Sequence, residues 1–153
     1  MIAQLQTPLG PIAIDWCDGA LVGVDLAPDP TPSQAAELPA VAAQQFLCYL
    51  ADGRAPFDLP LRLSGTAFQK RVWALLQSIP AGETRTYGVL ARELGTAPRA
   101  IGQACRTNPC PIVVPCHRVV ARQGLGGFSG AASGPRLAFK RWLLDHERAR
   151  WPR

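Results

Sequence analysis

Cys116 and His117 stand side by side in Pro111-Ile-Val-Val-Pro-Cys-His-Arg-Val-Val120, and His117 is one of only two histidines in 153 residues. A thiol attacks as its thiolate, so such a cysteine needs a lowered pKa or a base that takes its proton. The apolar runs Ile112 to Val114 and Val119 to Val120 read as buried extended chain, and Pro115 biases Val114 to an extended conformation and excludes a helix interior. Cys116 is therefore expected on a rigid turn against a core, where burial alone would leave it inert. Neighbouring side chains of extended chain point to opposite faces, so adjacency does not by itself pair His117 with the thiol. A buried structural cysteine beside a structural histidine is the plain alternative.

The rest of the chain must hold this turn. Ile2 to Gln6, Pro11 to Trp16 and Ala20 to Leu26 read as short strands, with Asp18-Gly19 as a hairpin turn, which gives a small antiparallel sheet. Leu26 to Ser33 is a Pro- and Asp-rich loop. From Leu38 to Ala51 the residues Val41, Phe46, Leu47 and Leu50 recur at near-helical spacing, with Pro39 in the first turn and Gly53 at the C-terminal cap. The extended, proline-containing stretch Ala55 to Leu63 marks a domain boundary, giving a supporting domain over 1–60 and a second domain over 61–153. Thr66-Ala-Phe-Gln69 has capping-box form and opens a helix whose stripe is Phe68, Val72, Trp73, Leu75, Leu76 and Ile79. Thr86 to Leu94 and Ala97 to Arg106, joined by Gly95-Thr96, read as a helix-turn-helix, with an ordinary αα corner equally compatible with the spacing. Gly124 to Gly134 is a glycine-rich loop. Pro135 to Arg148 is a last helix with Leu137, Trp142, Leu143 and Leu144 facing in.

With 48% hydrophobic residues the chain can bury a core, and no stretch approaches 18 consecutive apolar residues. The start Met1-Ile-Ala-Gln lacks signal-peptide character, so a cytoplasmic, membrane-free protein is expected. Five cysteines without Cys-x-x-Cys spacing argue against a disulfide framework and a zinc ribbon. Residues 1–63 carry two Arg against seven Asp/Glu, whereas residues 64–153 carry fourteen Lys/Arg against four Asp/Glu. A basic half beside an acidic one suggests a polyanion partner, nucleic acid above all.

Arg99-Ala-Ile-Gly-Gln-Ala-Cys-Arg-Thr-Asn-Pro109 upstream, Pro-Cys-His-Arg-Val at the turn and Trp142-Leu-Leu-Asp-His-Glu147 downstream carry a family signature. The chain resembles the O6-alkylguanine-DNA alkyltransferases, or methylated-DNA–protein-cysteine methyltransferases, closely over 64–147 and loosely over the first 60 residues. The resemblance implies an α+β fold: a ribonuclease H-like N-terminal sheet with a helix, then a mostly helical, winged-helix-like domain containing the helix-turn-helix. It implies direct-reversal repair, in which Cys116 takes the alkyl group from O6-alkylguanine once per molecule, with O4-alkylthymine left open. The partner would be double-stranded DNA entered through the minor groove with the damaged base rotated out, bound by a monomer.

Residue by residue, the resemblance implies a relay from Cys116 through a water to His117, oriented by Glu147, with His146 structural. Tyr87 would hydrogen-bond guanine N3 and Asn108 would tie the turn together. The carbonyls of Cys116 and Val119 would accept from the guanine amino group and the Ser129 N–H would face O6. Pro111 and Val119 look like pocket walls; Phe128 stands where tyrosine is common, and Gly130 suggests room for bulky alkyl groups. Arg99 would fill the gap in the base stack, with a phosphate contact as the alternative. Ala97, Ala100 and Gly102 would let the helix approach closely, and Arg106 would be a further DNA contact. No metal and no cofactor are expected. A Cys-His hydrolase and a helix-turn-helix regulator without catalysis are the rival readings.

Overall fold

The computed structural model describes residues 2–28, 38–126 and 135–151. Strands β1 (Ile2–Thr7), β2 (Gly10–Cys17) and β3 (Ala20–Asp25) form an antiparallel sheet in that order. Asp18 and Gly19 both take positive φ (48° and 78°), as a two-residue hairpin in type I′ geometry requires. Two ties run from β3 to later chain: the Leu21 N–H donates to the Pro60 carbonyl at 2.8 Å and the Val24 N–H to the Pro109 carbonyl at 2.9 Å. The second joins the sheet to the segment that leads into the Cys116 turn.

Helix α1 (Ala40–Ala51) begins after Pro39 rather than at Leu38, and its inward face is Ala42, Phe46 and Tyr49. Val41 and Leu47, expected inside, are 52% and 55% exposed. Two helical phases compete here, and the set spaced i, i+4, i+7 wins although it holds a small alanine and a tyrosine with a polar tip. Gly53 is not a left-handed cap, because the helix ends at an extended Asp52. It is buried instead, and a Cβ placed on it would lie under 3.0 Å from the His146 carbonyl.

Helix α2 (Ala67–Gln77) has the expected capping box between Thr66 and Gln69 and buries Val72, Trp73 and Leu76. The Trp73 indole N–H donates to the Ala104 carbonyl at 2.9 Å, fixing α2 to α4. Helices α3 (Tyr87–Leu94) and α4 (Pro98–Arg106) are joined through left-handed Gly95 (φ 64°) and pack together as a helix-turn-helix. Before α3 a two-residue strand, β4 (Arg85–Thr86), pairs in parallel with β5 (Val119–Val120). Ile112, Val113 and Val114 are buried as expected but are not extended. They form a tight turn in which the Val114 N–H donates to the Cys110 carbonyl at 2.9 Å, and Ile112 sits at φ 79°, where β-branched residues are rare. The closing helix α5 (Pro135–His146) stops two residues before the expected Arg148, which takes φ 55°. One core cluster runs from the sheet through α1 and α2 to Cys116 and α5.

Candidate active site

Residues 110–120 are all buried, and Cys116, His117 and Arg118 make one 3₁₀ turn after Pro115. The turn is cross-braced by a single amide. Asn108 Nδ2 donates to the Val114 carbonyl at 2.8 Å while Asn108 Oδ1 accepts from the Cys110 N–H at 2.9 Å. The Cys116 N–H also donates to the Val114 carbonyl, at 2.8 Å, so the thiol is held at the tip of a rigid loop and is only 3% exposed. Burial pushes this thiol up to about 11, against the pull of Asn108 and Lys140. About one molecule in ten thousand would then be thiolate at neutral pH, so attack requires that a base remove the proton.

The candidate base is the next residue in the chain. His117 Nε2 lies 2.7 Å from Glu147 Oε2, with both side chains fully buried. Burial pushes the Glu147 carboxyl up, but His117 and Arg118 outweigh it and bring it down to about 2, so the group is ionised and only accepts. His117 Nε2 must therefore carry the proton, which leaves the lone pair on Nδ1, the atom without a hydrogen-bond partner among the described residues. Burial holds His117 below its ordinary value, so the imidazole rests neutral and able to accept a proton. Arg118 is the standing counter-charge of Glu147: its Nε donates to Oε1 at 2.8 Å and its Nη2 to Oε2 at 3.1 Å, while Nη1 donates to the Ile79 carbonyl at 2.6 Å.

Three residues of this network carry no role in the sequence reading. Arg118 was visible within the Pro-Cys-His-Arg block. Lys140 is fully buried, donates from Nζ to the Val119 carbonyl at 2.7 Å and lies 5.8 Å above the Tyr87 ring. Its signal was a lysine at position 140 of the Leu137, Leu144 inward stripe. Burial lowers its ammonium to about 8. Tyr49 donates from its hydroxyl to Glu147 Oε2 at 2.5 Å, and a tyrosine on an otherwise apolar helix face was the only hint of it.

The remaining candidate residues spread over the adjoining surface. Tyr87 begins α3 and lines a groove of about 760 Å³ with Thr86, Arg92, Thr96, Pro98 and Arg122. Burial raises its phenol, so it stays a neutral donor. Ala97 and Arg99 are exposed at the start of α4, Ala100 and Gly102 are half-buried, and a Cβ on Gly102 would touch nothing. Arg106 is exposed at the end of α4 and shares a separate hollow with Arg136, Asn108 and buried Pro111. Val119 is fully buried, and its carbonyl already accepts from Lys140 while the Cys116 carbonyl accepts from the Val119 N–H. Each oxygen retains a second lone pair for another donor. His146 accepts no role in the relay: its Nε2 meets the Tyr49 carbonyl at 2.6 Å and its ring stacks on Trp142. Phe128, Ser129 and Gly130 lie outside the described residues. No group of three or more His, Cys, Asp or Glu able to hold a metal occurs among the described residues.

A helix-turn-helix set against a buried cysteine with a carboxylate-held histidine defines a protein that brings a nucleophile to a nucleic-acid surface. The profile described as "6-O-methylguanine DNA methyltransferase, DNA binding domain" matches residues 67–149. The chain is 40% identical to a methylated-DNA–protein-cysteine methyltransferase of Mycolicibacterium paratuberculosis, covering 97% of this chain and 92% of the relative. It is 37% identical to the constitutive methylated-DNA–protein-cysteine methyltransferase of Bacillus subtilis, over 94% of this chain and 92% of that one. Among solved structures it is similar to Mycobacterium tuberculosis OGT in complex with DNA, at a TM-score of 0.81 and 36% identity over 97% of this chain and 94% of that one. An O6-methylguanine DNA methyltransferase from Methanococcus jannaschii gives a TM-score of 0.67 at 29% identity, over 99% and 95%. The chain belongs to the methylated-DNA–protein-cysteine methyltransferase family.

Proposed function

We propose that the protein repairs alkylated DNA by direct reversal, transferring the alkyl group of O6-alkylguanine to Cys116 in a single turnover. The observation that carries this is the buried pairing of Glu147 with His117 Nε2, which leaves Nδ1 without a partner among the described residues, on the residue next in sequence to a thiol that does not ionise unaided. Nδ1 takes the Cys116 proton through a water, the S–C bond forms as the O–C bond breaks, and the guanine leaves with the electron pair. Tyr87 donates to the guanine as negative charge develops on it, and Asn108 keeps the thiol in line. The Cys116 and Val119 carbonyls, with the walls at Pro111 and Val119 and the segment holding Phe128, Ser129 and Gly130, receive the base. Arg99 occupies the stack vacated by the extruded nucleotide, while Ala97, Ala100, Gly102 and Arg106 carry α4 against the DNA. The thioether does not hydrolyse, so each molecule acts once.

The domains divide near residue 60, and the protein works as a cytoplasmic monomer; among the described residues no helix is long and apolar enough to cross a membrane. A duplex containing O6-methylguanine labelled in the methyl group tests the reading. The wild type should carry one label per molecule and Cys116→Ser none, while still binding the duplex. Label on the serine variant, or turnover beyond one equivalent, would contradict it.

A further inference from the structure

We propose that Tyr49, carried on α1 in the N-terminal half, is the outermost positioning residue of the proton relay and tunes the His117 base through Glu147. The inference rests on the reading of Cys116, His117 and Glu147 given above. It begins from the way α1 meets the end of α5. The Tyr49 hydroxyl donates to Glu147 Oε2, the Tyr49 carbonyl meets His146 Nε2 at 2.6 Å, and Gly53, one turn on, leaves room for the His146 and Glu147 backbone. Phe57 braces the other side of the Tyr49 ring, at 5.2 Å between centroids. Three contacts from one short segment thus converge on residues 146 and 147. Packing alone would be served by phenylalanine; the hydroxyl is buried and aimed at the relay carboxylate.

Oε2 accepts from three groups, Tyr49, His117 and Arg118, so the donors compete for one oxygen's charge. His117 feels Arg118 from its own turn, Lys140 from α5 and Glu147 from just beyond the end of α5; Tyr49 reaches it from α1 through the shared oxygen. Glu147 favours a proton on the imidazole, whereas Arg118 and Lys140 oppose it. Each further donor on Oε2 weakens what the carboxylate offers His117, so Tyr49 acts in the same sense as the two cations. Burial and the facing carboxylate raise the tyrosine's own value, so the hydroxyl remains a donor through the working range. The N-terminal half is then part of the catalytic apparatus as well as its support.

Two readouts test this. The His117 ring is titrated by nitrogen NMR in the resting protein, and the single-turnover rate of label transfer is followed against pH. Tyr49→Phe should move the imidazole midpoint and the acid limb of the rate profile to higher pH together, by the same shift. Replacing tyrosine by 3-fluorotyrosine in a Tyr87→Phe chain makes the remaining hydroxyl a stronger donor and should move the imidazole midpoint the opposite way. That second arm decides even if Tyr49→Phe fails to fold. A wild type that takes up no label sinks the reading of Cys116. Label uptake by the wild type with unmoved His117 titration in both variants, whatever their melting temperatures, overturns the role of Tyr49 alone.

Discussion

Replacing Glu147 by Gln removes one buried charge from a group of residues that the structure shows to be saturated with donors. The carboxylate accepts four hydrogen bonds, two of them from Arg118, and its side chain is fully buried, so screening by water does not soften the loss. A carboxyl held at about 2, against an ordinary value of about 4.3, contributes roughly 3 kcal/mol at neutral pH. Breaking a buried pair by removing one partner typically costs about 3–5 kcal/mol, which agrees. For a chain of this size about 2–4 °C of melting temperature goes with each kcal/mol, so the midpoint should fall by roughly 10 °C. Because the folded value lies below the unfolded one, this stability is present above about pH 4.3 and is lost as pH falls toward about 2. Urea unfolding at a series of pH values from 7 to 3 measures it. The gap between wild type and Glu147→Gln should be constant near neutrality and should close below about pH 4.3. Curves that stay parallel down to pH 3 would mean that the carboxylate is not held by these donors. The variant should also lose about 10²–10⁴-fold in transfer rate, the range of general-base catalysis.

Two further outcomes are expected. Arg99→Ala should slow repair of a duplex more than reaction with a free alkylated guanine base, because only the duplex requires extrusion; equal losses, read as single-turnover rates, would move Arg99 out of that role. Alkylation of Cys116 should lower the melting temperature, more for benzyl than for methyl, because the thiol is 3% exposed inside a wholly buried turn and overpacking costs roughly 1–3 kcal/mol; thermal unfolding of the three forms decides, and equal or higher midpoints for the adducts would refute it.

The elements that position the site were legible where local chemistry dictates them. The Asp18-Gly19 turn, the Thr66 to Gln69 capping box and the Gly95 junction each depend on residues a few positions apart, and each formed. What escaped was set by distant partners. Ile112 to Val114 look like a strand because they are apolar and β-branched, yet Asn108 and the Val114 to Cys110 hydrogen bond curl them into a turn and force Ile112 to positive φ. The two-residue pairing of β4 with β5 has no periodic pattern to read. On α1, Val41 and Leu47 outweighed Ala42 and Tyr49 on hydrophobicity, while the actual phase follows from Glu147, 98 residues away from Tyr49. Cys116 and His117 were visible as a pair, but the 3₁₀ turn and the reach of Glu147 decide which imidazole nitrogen points where.

The charges buried around the thiol explain why such a site suits a reaction that happens once. Arg118 and Glu147 neutralise each other at hydrogen-bond distance, which leaves Lys140 as the cation that Cys116 feels most directly. In the proposed reaction His117 takes the thiol proton, so an anion appears on sulfur and a cation on the ring and the total charge of the buried group does not change. The new anion is drawn toward Lys140 and Asn108, and the new cation toward Glu147. The activated state therefore separates charge toward partners already in place without importing net charge into a low-dielectric core. Attack then removes the sulfur anion for good. The thioether is as neutral as the resting thiol, and once the proton held by His117 has passed through water to the leaving guanine anion, electrostatics neither expels the alkyl group nor penalises its retention; the volume of the group inside the Asn108-braced turn then distinguishes the spent protein from the fresh one.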